Sequence, residues 1–137
     1  MTIEEYLRIA STAKMEIEVN KEVKAELIDA VSRVKGIDYS KEKLQGGQVL
    51  DLTDRLAKVF EETDKIDKIN LELAETIVET RELIESLKNS TERTVMKRRY
   101  ILRQTFETIA EELDIHEKTV RRYHKKAVDK LRHKFKK

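Results

Sequence analysis

Apolar residues recur along the first 34 positions at alternating steps of three and four. One row runs Ile3, Ala10, Ile17, Lys24, Val31; the other runs Tyr6, Ala13, Asn20, Leu27, Val34. Eight of these ten positions are apolar or aromatic, which makes a narrow coiled-coil stripe rather than a broad globular face. Thr2 and Glu5 form a T-x-x-E capping box, so the helix is expected to begin almost at once. At 1.5 Å per residue it would be roughly 50 Å long. Asn20, polar in the seam, is a candidate for fixing register. Gly36 stands where a C-cap glycine belongs, and residues 35–48 read as a polar connection with Gly46-Gly47 near its end. A second seam comes next in the rows Val49, Leu56, Thr63, Asn70, Ile77, Ile84 and Leu52, Val59, Ile66, Leu73, Thr80, Leu87. The pattern predicts helices over about 3–34 and 49–87 joined by a loop over 35–48, long enough for an antiparallel hairpin. Two thin stripes bury little by themselves, so pairing of two hairpins into a four-helix homodimer is expected.

After residue 88 the pattern changes. Asn89-Ser90-Thr91 supplies a break and an N-cap. A short helix over TERTVMKRRYIL should bury Val95, Met96, Tyr100 and Ile101 and turn Lys97, Arg98 and Arg99 outward. Residues 106–131, FETIAEELDIHEKTVRRYHKKAVDKL, then read as two helices joined by a sharp turn. Thr105 can cap the first, in which Ile109, Ala110 and Leu113 fall at buried places. Ala110 lies at the expected crossing, where a small side chain lets two backbones approach. Ile115 fills the turn, and Val120 and Tyr123 anchor the second helix. With 100° per residue, Val120, Tyr123, His124, Ala127 and Leu131 share one face, and Lys118, Arg121, Arg122 and Lys125 point the other way. One face for packing and one cationic face for guanine edges or phosphates is what a recognition helix in a helix-turn-helix requires. Asp114 takes the turn position usually held by glycine, and Asp tolerates a left-handed backbone better than most residues. His116 stands at the N-cap of the second helix, where Ser or Thr would be the stronger cap.

Composition sharpens this all-α reading. Of 137 residues 41% are charged, with no proline and three glycines, which favours long exposed helices. The absence of cysteine removes disulfides and thiolate metal sites. No apolar run approaches the roughly 20 residues of a membrane span and no signal-peptide pattern is present, so a soluble intracellular protein is expected. The net charge of +2 hides a division: residues 1–87 hold 13 basic and 20 acidic residues, residues 88–137 hold 16 and 7. An acidic body with a basic C-terminal part points to a polyanion partner for that part alone. Two domains are expected, a helical hairpin at 1–88 that dimerises and a DNA-binding unit at 89–137. The competing reading, a basic three-helix bundle that touches no nucleic acid, does not account jointly for Ala110, the short turn and the cationic face. Catalysis is not expected: there is no H-x-x-x-H pair or phosphate-cradling glycine loop, and His116 and His124 stand eight apart. No cofactor, metal ion or small-molecule substrate is expected. The three histidines are expected to add positive charge to a DNA-facing surface below neutral pH.

The stretch RRYILRQTFETIAEELDIHEKTVRRYHKKAVDKLR resembles region 4 of sigma-70-type factors, in its RY, its T-x-E-x-I-A and its terminal A-V-D-K-L-R. That likeness covers about 45 residues of the C-terminal part. The whole chain, a helical N-terminal part before a sigma-like reader, resembles the ArpU/RinA-like regulators of Gram-positive phages and prophages. Those act on late operons for packaging, morphogenesis and lysis. The resemblance implies a transcriptional activator on double-stranded promoter or operator DNA, working beside host RNA polymerase in the bacterial cytoplasm. A full sigma factor is not implied, since no segment resembles a reader of the start-proximal promoter element. By position, base reading would fall on Glu117, Lys118, Arg121, Arg122 and Lys125. Phosphate contacts would fall on Arg98, Arg99, Arg103 and Thr105, with His116 and Lys126 beside them. The alternative is a helical adaptor, for example in DNA packaging, whose hairpin clamps a partner protein and whose DNA contact is secondary. Such adaptors usually place the DNA-binding part first, the opposite of the order here.

Overall fold

The two heptad stripes build the two longest helices of the computed structural model, which describes residues 1–36 and 46–135. Helix α1 spans Ile3–Gly36 and α2 spans Gly46–Glu85; α3 is Ser90–Met96, a π-helical turn covers Lys97–Ile101, α4 is Phe106–Leu113 and α5 is Glu117–Lys134. No strand occurs among the described residues, so the all-α class holds. Among them no helix is long and apolar enough to cross a membrane. The capping box forms as expected. Glu5 N–H donates to Thr2 Oγ1 at 3.2 Å, and Thr2 N–H to Glu5 Oε2 at 3.3 Å. Helix α2 begins earlier than expected, with Gly46 and Gly47 in its first turn rather than in the loop. Glycine costs a helix interior roughly 1 kcal/mol, but a first turn is where fewest intrahelical bonds are at stake. Residues 37–45 of the expected loop lie outside the described residues, as do the side chains of Val34 and Val49.

The contacts group the chain into two units, Met1–Lys14 with Leu73–Lys137, and Met15–Glu72. In the second of these, α1 and α2 run antiparallel and their two seam amides meet: Asn20 Nδ2 donates to Asn70 Oδ1 at 2.9 Å. Lys24 Nζ pairs with Asp67 at 2.8 Å one turn along. The Asn20 seam position therefore finds its partner within the chain. A slip of the pairing would set both amides against apolar side chains, an unsatisfied burial. Thr63, also in the seam, is buried, and its hydroxyl donates to the Phe60 carbonyl at 2.9 Å.

In the first unit Ile3 and Leu7 of α1, Ile84 in the last turn of α2 and Leu87 just after it share a core with Met96, Ala127, Val128 and Leu131. Leu83, Tyr100, Ile101 and Phe135 close over it. The Tyr6 hydroxyl donates to Glu79 Oε2 at 2.5 Å; burial first, and then this bond, push the phenol up to about 12. Residue 89, where the charge changes sign, lies inside this unit as the N-cap of α3. Its side chain accepts from the Glu92 N–H at 3.0 Å. Arg93 ties down the link between α2 and α3 by donating to the carbonyls of Leu87 and Lys88 at 2.7 and 2.9 Å.

The expected continuous helix through TERTVMKRRYIL is a correction. Its α-helical part ends at Met96, and the Leu102 N–H then reaches back five residues to the Lys97 carbonyl at 3.0 Å. The extra residue widens that turn and shifts its side chains around the axis, so Lys97, Arg98 and Arg99 are half-buried instead of fully outward. Glu92 is a carboxylate only 2% exposed, and Lys130 Nζ donates to both of its oxygens at 2.9 and 2.8 Å. A buried carboxylate stripped of its cation keeps its desolvation cost. Lys130→Met should therefore lower unfolding free energy by about 2 kcal/mol. Adding Glu92→Leu should recover part of that loss, both read from urea unfolding monitored by circular dichroism.

Candidate nucleic-acid interface

Helix α4 carries a cap at each end. Thr105 Oγ1 accepts from the Thr108 N–H at 3.1 Å, a bond worth about 1 kcal/mol to such a helix. At the other end Asp114 takes the left-handed conformation, φ 53° and ψ 47°, so that the Ile115 N–H reaches the Ala110 carbonyl at 3.1 Å. The turn then hands over to α5 at His116, whose Nδ1 accepts from the Lys118 N–H at 3.1 Å. Asp114 and His116 thus hold the two positions where glycine and Ser or Thr are usual. Ala110 is buried where α4 meets α5, in a small core with Val95, Ile109 and Val120; Phe106, Leu113, Ile115 and Tyr123 pack against it. Two helices joined by a three-residue capped turn over one core, the second with a cationic outer face, make a helix-turn-helix.

Residues 83–133 match the family model Sigma-70, region 4. No curated protein and no solved structure matches the chain. The matched segment carries a sigma-70 region 4-like helix-turn-helix, a DNA-binding regulatory fold and not a catalytic one. It opens at Leu83, taking in the last residues of α2 and the link after it, which contribute Ile84 and Leu87 to the core.

On the outer face of the region 4-like α5, Lys118, Arg121, Arg122, Lys125 and Lys126 are all exposed. Arg121 also pairs with Glu117 at 2.9 Å one turn back, so the one acidic candidate on this face is half-buried and already bonded. His116 and Thr105 are exposed, each with a side-chain atom committed to a cap. Arg103 is exposed and left-handed, with φ 59°. Arg98 and Arg99 face partly inward. Arg98 Nη1 donates to Gln104 Oε1 at 3.3 Å and lies 4.0 Å from Glu112. Arg99 Nη1 donates to the Gln104 carbonyl at 3.2 Å.

Sequence reasoning treats Phe106 only as the first residue of a helix; in the fold its ring organises the cationic side chains. The guanidinium carbon of Arg99 lies 4.3 Å from its centroid and that of Arg121 lies 4.7 Å from it. Each such contact contributes about 0.5–1 kcal/mol and lowers the cost of bringing two like charges together. The signal available was the single aromatic between RRY and RRY, but nothing in its spacing shows which cations it meets.

His124 is a correction. It does not add charge to the outer face: it is half-buried, edge-on to Phe106 at 5.0 Å and stacked on Tyr100 at 5.6 Å. Burial, and then the Arg99 and Arg121 guanidiniums, hold its imidazole below the usual histidine range. Burial likewise pushes the Tyr100 phenol up, and its hydroxyl shares a hydrogen bond with His124 Nε2 at 2.6 Å. Among the described residues no group of three or more His, Asp or Glu is placed to hold a metal ion.

The depressed His124 sets a pH dependence. The folded state holds the ring neutral, whereas the unfolded chain takes up the proton near the ordinary value of 6.5. Its contribution to stability is therefore complete above that pH and is lost as pH falls toward the folded value. The melting temperature should fall between pH 7.5 and pH 5, and His124→Gln should flatten that fall, as differential scanning calorimetry would read.

Proposed function

We propose that this chain is a sequence-specific transcriptional regulator, a homodimer that activates late genes of a phage or prophage from beside the host RNA polymerase. The observation that carries sequence-specific reading is the outer face of α5. Lys118, Arg122 and Lys125 project from a helix whose other face is spent on its own core. A helix held in this way can enter a major groove without loosening its packing, and its Arg and Lys can meet guanine O6 and N7. Base contacts are assigned to Lys118, Arg121, Arg122 and Lys125, with Glu117 orienting Arg121. Phosphate contacts are assigned to Arg103, Lys126 and the region around the His116 cap.

Dimerisation is supported by the surface of Met15–Glu72, where Val19, Val23, Phe60 and Ile69 remain exposed. A second copy would bury that apolar surface, and two linked readers would bind two half-sites. The activator role and the late operons rest on the resemblance of the whole chain to ArpU/RinA-like regulators. In that setting the protein works in the cytoplasm of a bacterial host.

Capture of genomic and phage DNA fragments by the purified chain, followed by sequencing, tests this reading. One short motif should be enriched upstream of an operon, bound roughly 10³-fold more tightly than random DNA at physiological salt. Lys118→Ala and Arg122→Ala should each relax preference at one or two base positions, at a cost of about 1–3 kcal/mol on the preferred site. Uniform recovery of all fragments would end the sequence-specific reading, and a ring oligomer in light scattering would favour an adaptor.

A further inference from the structure

A second cationic feature lies away from the outer face of α5. The first turns of α1, the π-helical turn and the loop directly after it enclose an open cavity of about 390 Å³. Its lining residues are Glu4, Arg8, Ser11, Arg99, Tyr100 and Arg103. Three arginines and two hydroxyl-bearing residues thus line one space. Its single carboxylate, Glu4, is already paired with Arg132. Among the described residues neither Arg8 nor Arg103 has an ion-pair partner, and both are exposed. Arg99 is oriented by the Gln104 carbonyl and the Phe106 ring, which leaves further N–H donors for a ligand.

Two backbone features make this arrangement more than a chance of surface charge. Arg103 holds a left-handed conformation that glycine would take without strain. The π-helical turn, a geometry frequent at functional sites, carries Arg99 and Tyr100 to the cavity wall. Three neighbouring cations repel one another, and an oxyanion with several acceptor oxygens relieves that repulsion.

We propose that Arg8, Ser11, Arg99 and Arg103 form a phosphate seat that holds one backbone phosphate of the bound duplex. The proposal rests on the regulator reading above and extends its DNA footprint to α1. Distance supports the duplex as the source. Arg99 and Arg121 lie against the same ring, so their guanidinium carbons are at most about 9 Å apart, the sum of their two distances from its centroid. A major groove is about 12 Å wide, so a recognition helix in it has phosphate walls within reach of Arg99. The Ser11 hydroxyl, which donates to the Arg8 carbonyl at 2.9 Å, can rotate to donate to the anion instead.

The test is equilibrium fluorescence anisotropy of the full chain on labelled duplexes, one with the enriched site and one scrambled, over a range of salt. Arg8→Ala and Arg103→Gly should each weaken both duplexes alike, by about three- to tenfold. Each should also reduce the slope of log affinity against log salt by about one. Because glycine suits the backbone at 103, Arg103→Gly should melt no lower than the parent, which separates a lost contact from a damaged fold. Ser11→Asp, which adds a carboxylate beside the arginines, should weaken binding of both duplexes as well. Unchanged affinity and slope in Arg8→Ala, while Lys118→Ala still relaxes base preference, overturns the seat and leaves the regulator reading standing. No site preference in the parent overturns that reading, and uniform losses in Arg8→Ala would then still support the seat. If inorganic phosphate raises the melting temperature of the parent but not of Arg8→Ala, and both bind duplex equally, the seat belongs to a free phosphate-bearing ligand and the duplex assignment is wrong.

Discussion

Burial of the inner face of α5 is the constraint on which the rest of the DNA-binding unit depends. The helix carries Arg121, Arg122, Lys125 and Lys126 in one and a half turns, and like charges at such spacings oppose helix formation. An isolated helix of 18 residues is marginal even for a favourable composition. What holds it is that Val120, Ala127, Val128 and Leu131 are almost completely removed from water. At about 1.5–3 kcal/mol for each large side chain, that burial outweighs the surface repulsion. The same burial spans two clusters. Val120 belongs to the small core of the helix-turn-helix, and Ala127, Val128 and Leu131 belong to the core that includes the ends of α1 and α2. The recognition helix is thereby fixed at both ends of its inner face by different parts of the chain.

The electrostatics derive from the same packing. Phe106 opens α4 and places its ring between the half-buried segment after α3 and the exposed face of α5. It receives Arg99 from one and Arg121 from the other. His124 sits beneath this pair, its imidazole held below the usual range by burial and by the two guanidiniums, and hydrogen-bonded to the Tyr100 hydroxyl. A charged imidazole there would be a third cation in one small volume. Around Phe106 the roles separate accordingly: His124 and the aromatic rings inside, and the Arg99 and Arg121 guanidiniums at the boundary. Elsewhere in the unit the Lys130 ammonium reaches in to the buried Glu92.

Much of this could be read from residue order, because the interactions concerned are local. The heptad rows located α1 and α2, with Ile3, Tyr6, Ala10, Ala13 and Val31 buried among the described residues. The Thr2–Glu5 capping box, the Asn89 and Thr105 caps, the left-handed Asp114 and the His116 cap all act within five residues of sequence. Helical periodicity was enough to divide α5 into a buried and a charged face, and charge counting placed the basic part of the chain.

The remainder was decided only by tertiary structure, because it depends on which distant groups meet. Periodicity put His124 on the inner face but could not show that Tyr100, Phe106 and two arginines surround it. The extra residue in the turn at Lys97–Ile101 has no local signature, since an α-helix through KRRYI would satisfy the same propensities. That one residue determines where Arg98 and Arg99 point. Glu92 reads as an ordinary first-turn acid until Lys130, 38 residues later, closes over it. Arg8 belongs to the acidic part of the chain by composition, yet packing brings it beside Arg99 and Arg103. Local order determined which helices form and where they cap; long-range packing determined which charges are neutralised, which are left facing solvent, and which converge on a common space.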